Sequence, residues 1–249
     1  MKILFANNLR GYYGGVEQVI LHYTRGLTRR GHECYFAYGM DGRDPEDFAK
    51  PFVADYRCSE FGVEEVGGQP FDEILAEVKP DVVFFHKVAR LPEGVELNKS
   101  FRKVRMVHDH DLWCPKGTGY FTHNRMTCHV AAGWRCYLDG AFLERNPEGV
   151  LPVKMTSIQA KIREMKRNHD FDAVLVVSTY LEDQLVINGF PPERVHICNP
   201  ILELGDPDPT TVPEEPNVVY IGSLIRGKGV DLLLRALHLV KTPFHLDIV

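Results

Sequence analysis

Short apolar segments that alternate with helical or turn segments constrain the fold of this chain most. Five of them have the length of single strands: "KILFAN" from Lys2, "ECYFAYG" from Glu33, "DVVFFHKV" from Asp81, "VRMVHDHD" from Val104 and "AVLVVST" from Ala173. Strands that are apolar along their whole length are buried on both faces. The sequence therefore predicts an α/β fold, a Rossmann-like parallel sheet with helices on both faces and right-handed crossovers.

The composition narrows the class of protein. With 249 residues, 44% of them hydrophobic and 25% charged, the chain can bury a sizeable core. A net charge of -5 argues against a nucleic-acid partner. No apolar run approaches the roughly 20 residues of a membrane span, and the start becomes polar too soon for a secretory signal. We therefore expect a cytoplasmic protein.

A change of composition divides the chain. The segment 203–217, "ELGDPDPTTVPEEPN", is rich in proline and acidic residues and predicts an exposed linker. After it, "VVYIGSL", "GVDLLLRALHLV" and "FHLDIV" predict one strand-helix-strand unit, which is too small to build its own core. We therefore expect a first domain over 1–202, a linker over 203–217 and, over 218–249, the truncated start of a second Rossmann-like domain.

In a parallel sheet, ligands bind beyond the carboxyl ends of the strands. The candidate functional segments are those that follow the predicted strands directly: 14–17, 86–87, 108–111 and 178–179. In the first of these, Gly14 and Gly15 do not form the GxGxxG pattern of a dinucleotide site. Two glycines before a helix still offer backbone N–H groups and a helix dipole to a phosphate or sugar oxygen. The alternative is a tight turn with Glu17 well placed in the first helical turn.

The segment "VHDHD" is a second candidate. In an extended strand, His108 and His110 would share one face, and Asp109 and Asp111 the other. Four side chains arranged in this way cannot readily close around one metal ion. We therefore expect no metal here, and the missing GxGxxG pattern argues against a dinucleotide cofactor.

Several segments together resemble one family. They are "GGVEQVILHYTRGLTRRGHE", "VHDHDLWCP", "VLVVSTYLEDQLVINGFPPERVHICNPI" and "VVYIGSLIRGKGVDLLLRAL". In this order they look like a family 4 glycosyltransferase of the GT-B fold. The resemblance implies two facing Rossmann-like domains with the active site in the cleft, and a retaining enzyme that uses a nucleotide sugar.

The resemblance also implies roles for particular residues. His108 matches the histidine that contacts the donor sugar, and Asp109 is its neighbour in the catalytic pair. Lys228 matches the phosphate-binding lysine, and Gly14 and Gly15 lie in the loop beside the donor diphosphate. Where the family usually has an arginine this chain has Ser223, and Arg226 follows three residues later as a candidate replacement. The structural alternatives are that His108 is hydrogen-bonded within the domain and that Lys228 is a solvated loop lysine.

Glu17, His86 and Cys114 are the acceptor-side candidates. Cys114 opens an insertion, "CPKGTGYFTHNRMTCHVAAGWRC", that resembles an acceptor-side loop and would act as a lid. Its cysteines and histidines could instead bind zinc, although the spacing lacks CxxC pairs. These residues are Cys114, Cys128, Cys136, His123 and His129.

The segment "KMTSIQAKIREMKRNH" predicts a basic amphipathic helix. Its apolar stripe consists of Met155, Ile158, Ile162 and Met165. Such a helix can lie on an anionic membrane surface, where a lipid-linked acceptor would be presented. The alternative is a domain helix that buries its stripe on the sheet, which we favour.

The predicted function is transfer of a sugar from a nucleotide sugar to a glycan or lipid-linked acceptor hydroxyl, in cell-envelope polysaccharide or glycolipid synthesis. We expect a hexosyltransferase, cytoplasmic or peripheral on the inner face of the membrane. The 249-residue chain would itself be inactive without the rest of the second domain. The alternatives are a non-catalytic sugar-nucleotide or glycan-binding module and, more distantly, a sugar-nucleotide 2-epimerase.

Overall fold

The computed structural model describes residues 1–61, 67–121, 124, 126–145, 153–199, 216–224 and 228–249. The chain divides into two compact units, Met1–Leu202 and Glu203–Val249.

The strands and helices of the first unit follow in chain order. They are β1 Lys2–Arg10, α1 Gly15–Arg29, β2 Glu33–Asp41, α2 Pro45–Ala49, β3 Asp55–Arg57, α3 Phe71–Val78, β4 Val82–Phe85, β5 Arg102–Val107, α4 Arg135–Leu138, β6 Leu143–Arg145, β7 Val153–Met155, α5 Ile158–Arg167, β8 Ala173–Val176, α6 Thr179–Ile187 and β9 Val195–Ile197. Each of the five strands predicted from the apolar segments is present, so these predictions are confirmed.

A seven-stranded sheet organises the first unit, in the order β3-β2-β1-β4-β5-β8-β9. Every pairing between its neighbouring strands is parallel. The prediction of a parallel sheet is confirmed. The strand order reverses between β1 and β4, and in open parallel sheets ligands bind at such a switch point.

Two apolar cores cover the two faces of this sheet. On β1, Leu4 and Ala6 belong to one core, whereas Ile3 and Phe5 belong to the other. The first core takes its helical residues from α3, α5 and α6, and the second from α1 and α2. Helices therefore lie on both faces, as successive side chains of a strand point to opposite faces.

Helix α5 uses its apolar stripe for packing. Ile158 and Met165 are buried, and Ile162 packs against the first core. Met155 is 79% exposed and does not belong to the buried stripe. The stripe of α5 thus serves the fold, which is the alternative that we favoured. In the described parts of the chain, no helix combines the length and the apolar character needed to cross a membrane.

The second unit contains β10 Asn217–Tyr220, α7 Val230–Leu237 and β11 His245–Ile248. The two strands pair in parallel. None of its described residues is buried, and Leu232 is 65% exposed.

Candidate active site

The carboxyl ends of β1, β4 and β5 bring three of the candidate segments together. Asn7, near the end of the apolar part of β1, accepts a hydrogen bond from the backbone N–H of Lys87 through Oδ1 at 3.0 Å. Asn8 Oδ1 accepts one from Ala89 at 3.3 Å. These bonds hold the segment that follows β4 against the end of β1. Sequence reasoning did not single out Asn7, and its position at a strand end was the available signal.

Glu17 is folded back onto the start of its own helix. Its Oε2 accepts a hydrogen bond from the backbone N–H of Gly14 at 2.9 Å, and Oε1 lies 3.4 Å from Nδ2 of Asn7. Glu17 is only 4% exposed. The carboxylate therefore caps α1 and occupies the Gly14 N–H that we had expected to meet a phosphate. At Gly15 a Cβ would meet nothing within 4 Å, so the space beside this residue is open.

His86 is buried rather than displayed to an acceptor. It is the first residue after β4 and is 1% exposed. Its Nδ1 lies 3.0 Å from Nε2 of His108, and the two rings stack with centroids 5.3 Å apart. The ring of His86 contacts His108 and offers an acceptor little surface.

His108 is partly exposed at the end of β5 and is neutral in the neutral pH range. Burial lowers its pKa to about 4; Asp109 opposes this change, and Arg105 and Lys87 add to it. Burial also lowers the pKa of His86 well below its usual range, and the nearby His108 and Arg105 act in the same direction. The pair therefore consists of two neutral imidazoles, one of which donates an N–H to the bare nitrogen of the other.

The segment after Val107 leaves the extended conformation that we had assumed for "VHDHD". Asp109 and Asp111 both reach Nζ of Lys87, at 2.7 and 2.8 Å. Burial would lower the pKa of Lys87, but its bonds to the two carboxylates outweigh that effect and raise it. Burial would likewise raise the pKa of Asp109, and the bond to Lys87 reverses this and lowers it.

Two cations lie close to these carboxylates, and sequence reasoning missed both. Arg105 is 7% exposed within β5, and among the described residues its guanidinium donates one hydrogen bond, to O of Val88 at 3.2 Å. Burial lowers its pKa to about 10. Burial also lowers the pKa of Lys161, which interacts electrostatically with Asp111 and Arg105. An arginine inside a predicted strand was the available signal.

The insertion packs tightly over the end of this site. A Cβ on Gly117 would lie 2.5 Å from Oδ1 of Asp111, and a Cβ on Gly119 would lie 2.6 Å from the ring of His110. Cys114, Cys128 and Cys136 line a cavity of about 40 Å³ in the insertion. No set of three His, Cys, Asp or Glu side chains among the described residues could hold a metal ion. His123 lies outside the described residues.

The remaining candidate residues follow later in the sequence, at the start of α6 and around the start of α7. Ser178 caps α6, where its Oγ accepts a hydrogen bond from the N–H of Leu181 at 3.3 Å. Lys228 is exposed just before α7 in the second unit. Ser223 accepts a hydrogen bond from the hydroxyl of Tyr220 through its carbonyl at 3.1 Å. Arg226 lies outside the described residues.

The parallel sheet, whose strand order reverses between β1 and β4, defines an α/β protein of the doubly wound class. The model of Glycosyltransferase Family 4 matches residues 13–203, and the chain belongs to this family. No curated protein is similar enough in sequence to count as a match.

Solved structures with the same fold include a galactosyltransferase and a protein bound to UDP and glucose. The apo form of the lipopolysaccharide outer core galactosyltransferase WaaB is 15% identical with a TM-score of 0.55, and the alignment covers 100% of this chain and 60% of that one. Anabaena Alr3699/HepE in complex with UDP and glucose is 15% identical with a TM-score of 0.58, with the same coverage of 100% and 60%. The predicted GT-B glycosyltransferase fold is confirmed. This chain spans about 60% of the length of either protein.

Proposed function

We propose that this chain forms the acceptor-side part of a retaining glycosyltransferase, which moves a sugar from a nucleotide sugar to an acceptor hydroxyl. The family supports the transferase class. The observation that carries the proposal is the neutral, partly exposed His108 at the strand end, bonded to His86 and followed directly by Asp109. A neutral imidazole hydrogen-bonds sugar hydroxyls without adding charge at the reacting carbon, where positive charge develops.

The proposed donor site also offers positive charge to the diphosphate of the nucleotide sugar. HepE has been solved in complex with UDP-glucose, which supports a nucleotide sugar as the donor. When the nucleoside diphosphate leaves, negative charge develops on its β-phosphate. The exposed Lys228 and the N-terminus of α7 offer positive charge to such a group. We propose Arg226 as a further phosphate ligand in place of the arginine that Ser223 replaces, and Gly15 as a backbone donor.

The second unit is proposed to begin a nucleotide-sugar-binding domain. Its helix α7 exposes apolar side chains, with Leu232 at 65% and Leu234 at 48%. Apolar helix faces of this kind are normally covered by further elements. On this proposal the 249-residue chain alone has little or no transferase activity.

The acceptor and the location extend the proposal. We propose a hexosyltransferase that acts on a glycan or lipid-linked acceptor during cell-envelope polysaccharide or glycolipid synthesis. The enzyme would work in the cytoplasm, with peripheral contact to the inner face of the membrane. Because α5 buries its apolar stripe, such contact would use the basic side chains of α5 rather than insertion of that stripe. No metal or other cofactor is required.

The test uses the protein at its full natural length. UDP- and GDP-sugars are supplied with candidate acceptors, and release of the nucleoside diphosphate is measured together with the anomeric configuration of the product. The proposal expects turnover with retention at the anomeric carbon. An inverted product would remove the retaining mechanism. Donor binding with no turnover for any acceptor would favour the non-catalytic binding module instead.

A further inference from the structure

His86 is the residue of the His108 site that the proposed function leaves without a role. Its ring packs against Phe84 with centroids 4.5 Å apart, against Phe5 at 5.8 Å and against His108 at 5.3 Å. Nδ1 makes the hydrogen bond to Nε2 of His108. Nε2 is buried and has no hydrogen-bond partner among the residues that the structure describes. The ring is therefore fixed by packing, and within the described part of the chain its one hydrogen bond is to His108, the residue proposed to contact the donor sugar.

The unpartnered Nε2 decides which ring donates in the hydrogen bond. If His108 donated through Nε2–H, a neutral His86 would carry its own proton on Nε2, where the N–H would be buried without an acceptor. If His86 donates through Nδ1–H, the buried Nε2 is a bare nitrogen. Buried N–H groups without a partner are rarer in proteins than acceptors without one, and burial disfavours protonation of both nitrogens. The geometry therefore selects Nδ1–H of His86 as the donor.

This choice determines the tautomer of His108. A neutral imidazole that accepts at Nε2 carries its proton on Nδ1. We propose that His86 is a positioning residue that holds His108 in the Nδ1–H tautomer, so that His108 acts toward the sugar as a hydrogen-bond donor and not as a base. The role toward sugar rests on the proposed function, whereas the tautomer itself rests only on the His86–His108 contact.

A positioning role differs from a packing role in what a substitution changes. In His86→Leu the apolar side chain fits the surroundings formed by Phe5 and Phe84, and the buried nitrogen without a partner disappears. The folded state should therefore be retained. In this variant Nε2 of His108 no longer accepts a hydrogen bond from His86. The proton of His108 can then lie on either Nδ1 or Nε2 of its ring. His86→Asn keeps an N–H donor at about the position of Nδ1 and should restore the original tautomer in part.

The tautomer is measured first, on the chain as it stands, by two-bond 1H–15N correlation of the imidazole nitrogens at neutral pH. We expect His108 to be protonated on Nδ1 in the wild-type chain, mixed or protonated on Nε2 in His86→Leu, and largely restored in His86→Asn. The control is His169→Leu, because His169 also has a buried Nε2 without a partner among the described residues and packs against Phe190. An Nε2–H tautomer of His108 in the wild-type chain would overturn the proposal, as would an unchanged tautomer in His86→Leu.

The rate is measured second, on the full-length protein. Removal of the partner that orients a metal-ligating histidine typically costs roughly 10- to 100-fold in activity, and we take the same range for the histidine that contacts the sugar. We expect kcat of His86→Leu to fall by about that factor with KM for the donor changed little, and His86→Asn to recover part of the loss. A normal kcat in His86→Leu would refute the positioning role. If the tautomer is as inferred but the wild-type protein transfers no sugar, the proposed function fails and the assignment of the proton stands.

Discussion

The ammonium group of Lys87 lies 2.7 Å from Oδ2 of Asp109 and links the segment after β4 to the segment after β5. Oδ2 of Asp111 lies 2.8 Å from the same ammonium group. Lys87→Met would leave two carboxylates side by side without their cation. We expect the free energy of unfolding to fall by about 1 kcal/mol at low salt, since the side chains of Lys87 and Asp109 are 46% and 39% exposed and solvent screens them.

The measurement is denaturant unfolding at low and high salt, where the loss should shrink as the repulsion is screened. Lys50→Met is the matched control, because Lys50 forms an exposed pair with Asp47 on a helix. It should lower the free energy of unfolding by less than Lys87→Met does, because solvent screens a fully exposed pair. Equal effects of the two substitutions would show that Lys87 does not hold the two segments together.

His108→Ala should lower both stability and turnover. The substitution leaves His86 buried with neither ring nitrogen bonded, which costs about 1 to 3 kcal/mol of folding free energy. If His108 also contacts the sugar, the rate per folded molecule should fall by roughly a hundred- to a thousand-fold. The folded fraction and the initial rate are measured on the same full-length preparation. A destabilised variant with a normal rate per folded molecule would remove His108 from the active site.

The His86–His108 pair should make the fold sensitive to acid. The pKa of His108 is lowered to about 4 by burial, and that of His86 is lowered in the same direction. A histidine in the unfolded chain has a pKa of about 6.5. Below this pH the two histidines bind protons in the unfolded state but remain neutral in the folded state. The two neutral rings make their full contribution to the free energy of unfolding above about pH 6.5. This contribution is lost as the pH falls toward 4.

The groups that face His108 are Asp109, which opposes the lowered pKa, and Arg105 and Lys87, which support it. We expect His86→Leu to lose less stability than the wild-type chain between about pH 6.5 and 4, because one titrating ring is gone. Unfolding free energies are compared at several pH values in this window. Parallel curves for the two proteins would contradict the prediction.

Gly119→Ala should disturb the insertion where it contacts His110. The glycine has a φ of +68°, and a Cβ would lie 2.6 Å from a ring that packs between Trp113 and Tyr180. An alanine at positive φ costs roughly 1 to 2 kcal/mol by itself. Gly94→Ala is the control, since Gly94 has a φ of +75° with nothing within 4 Å of the added Cβ. We expect Gly119→Ala to lower the free energy of unfolding by more than Gly94→Ala, and equal losses would show that the ring moves aside freely.

Chelation of metal ions should leave the transfer rate of the full-length protein unchanged. Lys228 and the N-terminus of α7 are proposed to meet the charge of the leaving diphosphate, a role that Mg²⁺ fills in many phosphoryl sites. The rate is measured before and after treatment with EDTA, and again after addition of Mg²⁺ or Mn²⁺. A rate that disappears on chelation and returns with either metal would show that the proposed donor site is incomplete.

Much of the fold was predictable because its signal is local. Strands β1, β2, β4, β5 and β8 are short runs that are mainly apolar, and burial on both faces requires such runs. β5 shows where the signal weakens. Lys103 and Arg105 lie buried in this strand, so a charged residue in the sequence did not indicate an exposed position. Their hydrogen bonds go to backbone carbonyls of Asn98 and Val88, which no periodicity predicts.

The candidate site divides in the same way. The rule that ligands bind at strand ends brought His86, Lys87, His108 and Asp109 into consideration from the sequence alone. The sequence did not show that His86 is buried, and it left open whether Glu17 serves the first turn of its own helix. A strand end contains both ligand-facing and core-facing side chains, and local spacing does not distinguish them when the chain leaves the extended conformation, as it does after Val107.

The sequence by itself thus determined the α/β class, the family and the strand ends at which function was to be sought. Only the tertiary structure decided which side chains meet there. The order of the strands sets β1, β4 and β5 side by side, so that Asn7 bonds to Lys87 and His86 to His108 although they are distant in the chain. The physical reason is that burial along one strand is a property of that strand, whereas the hydrogen bonds and charges that set a tautomer or a pKa come from its neighbours.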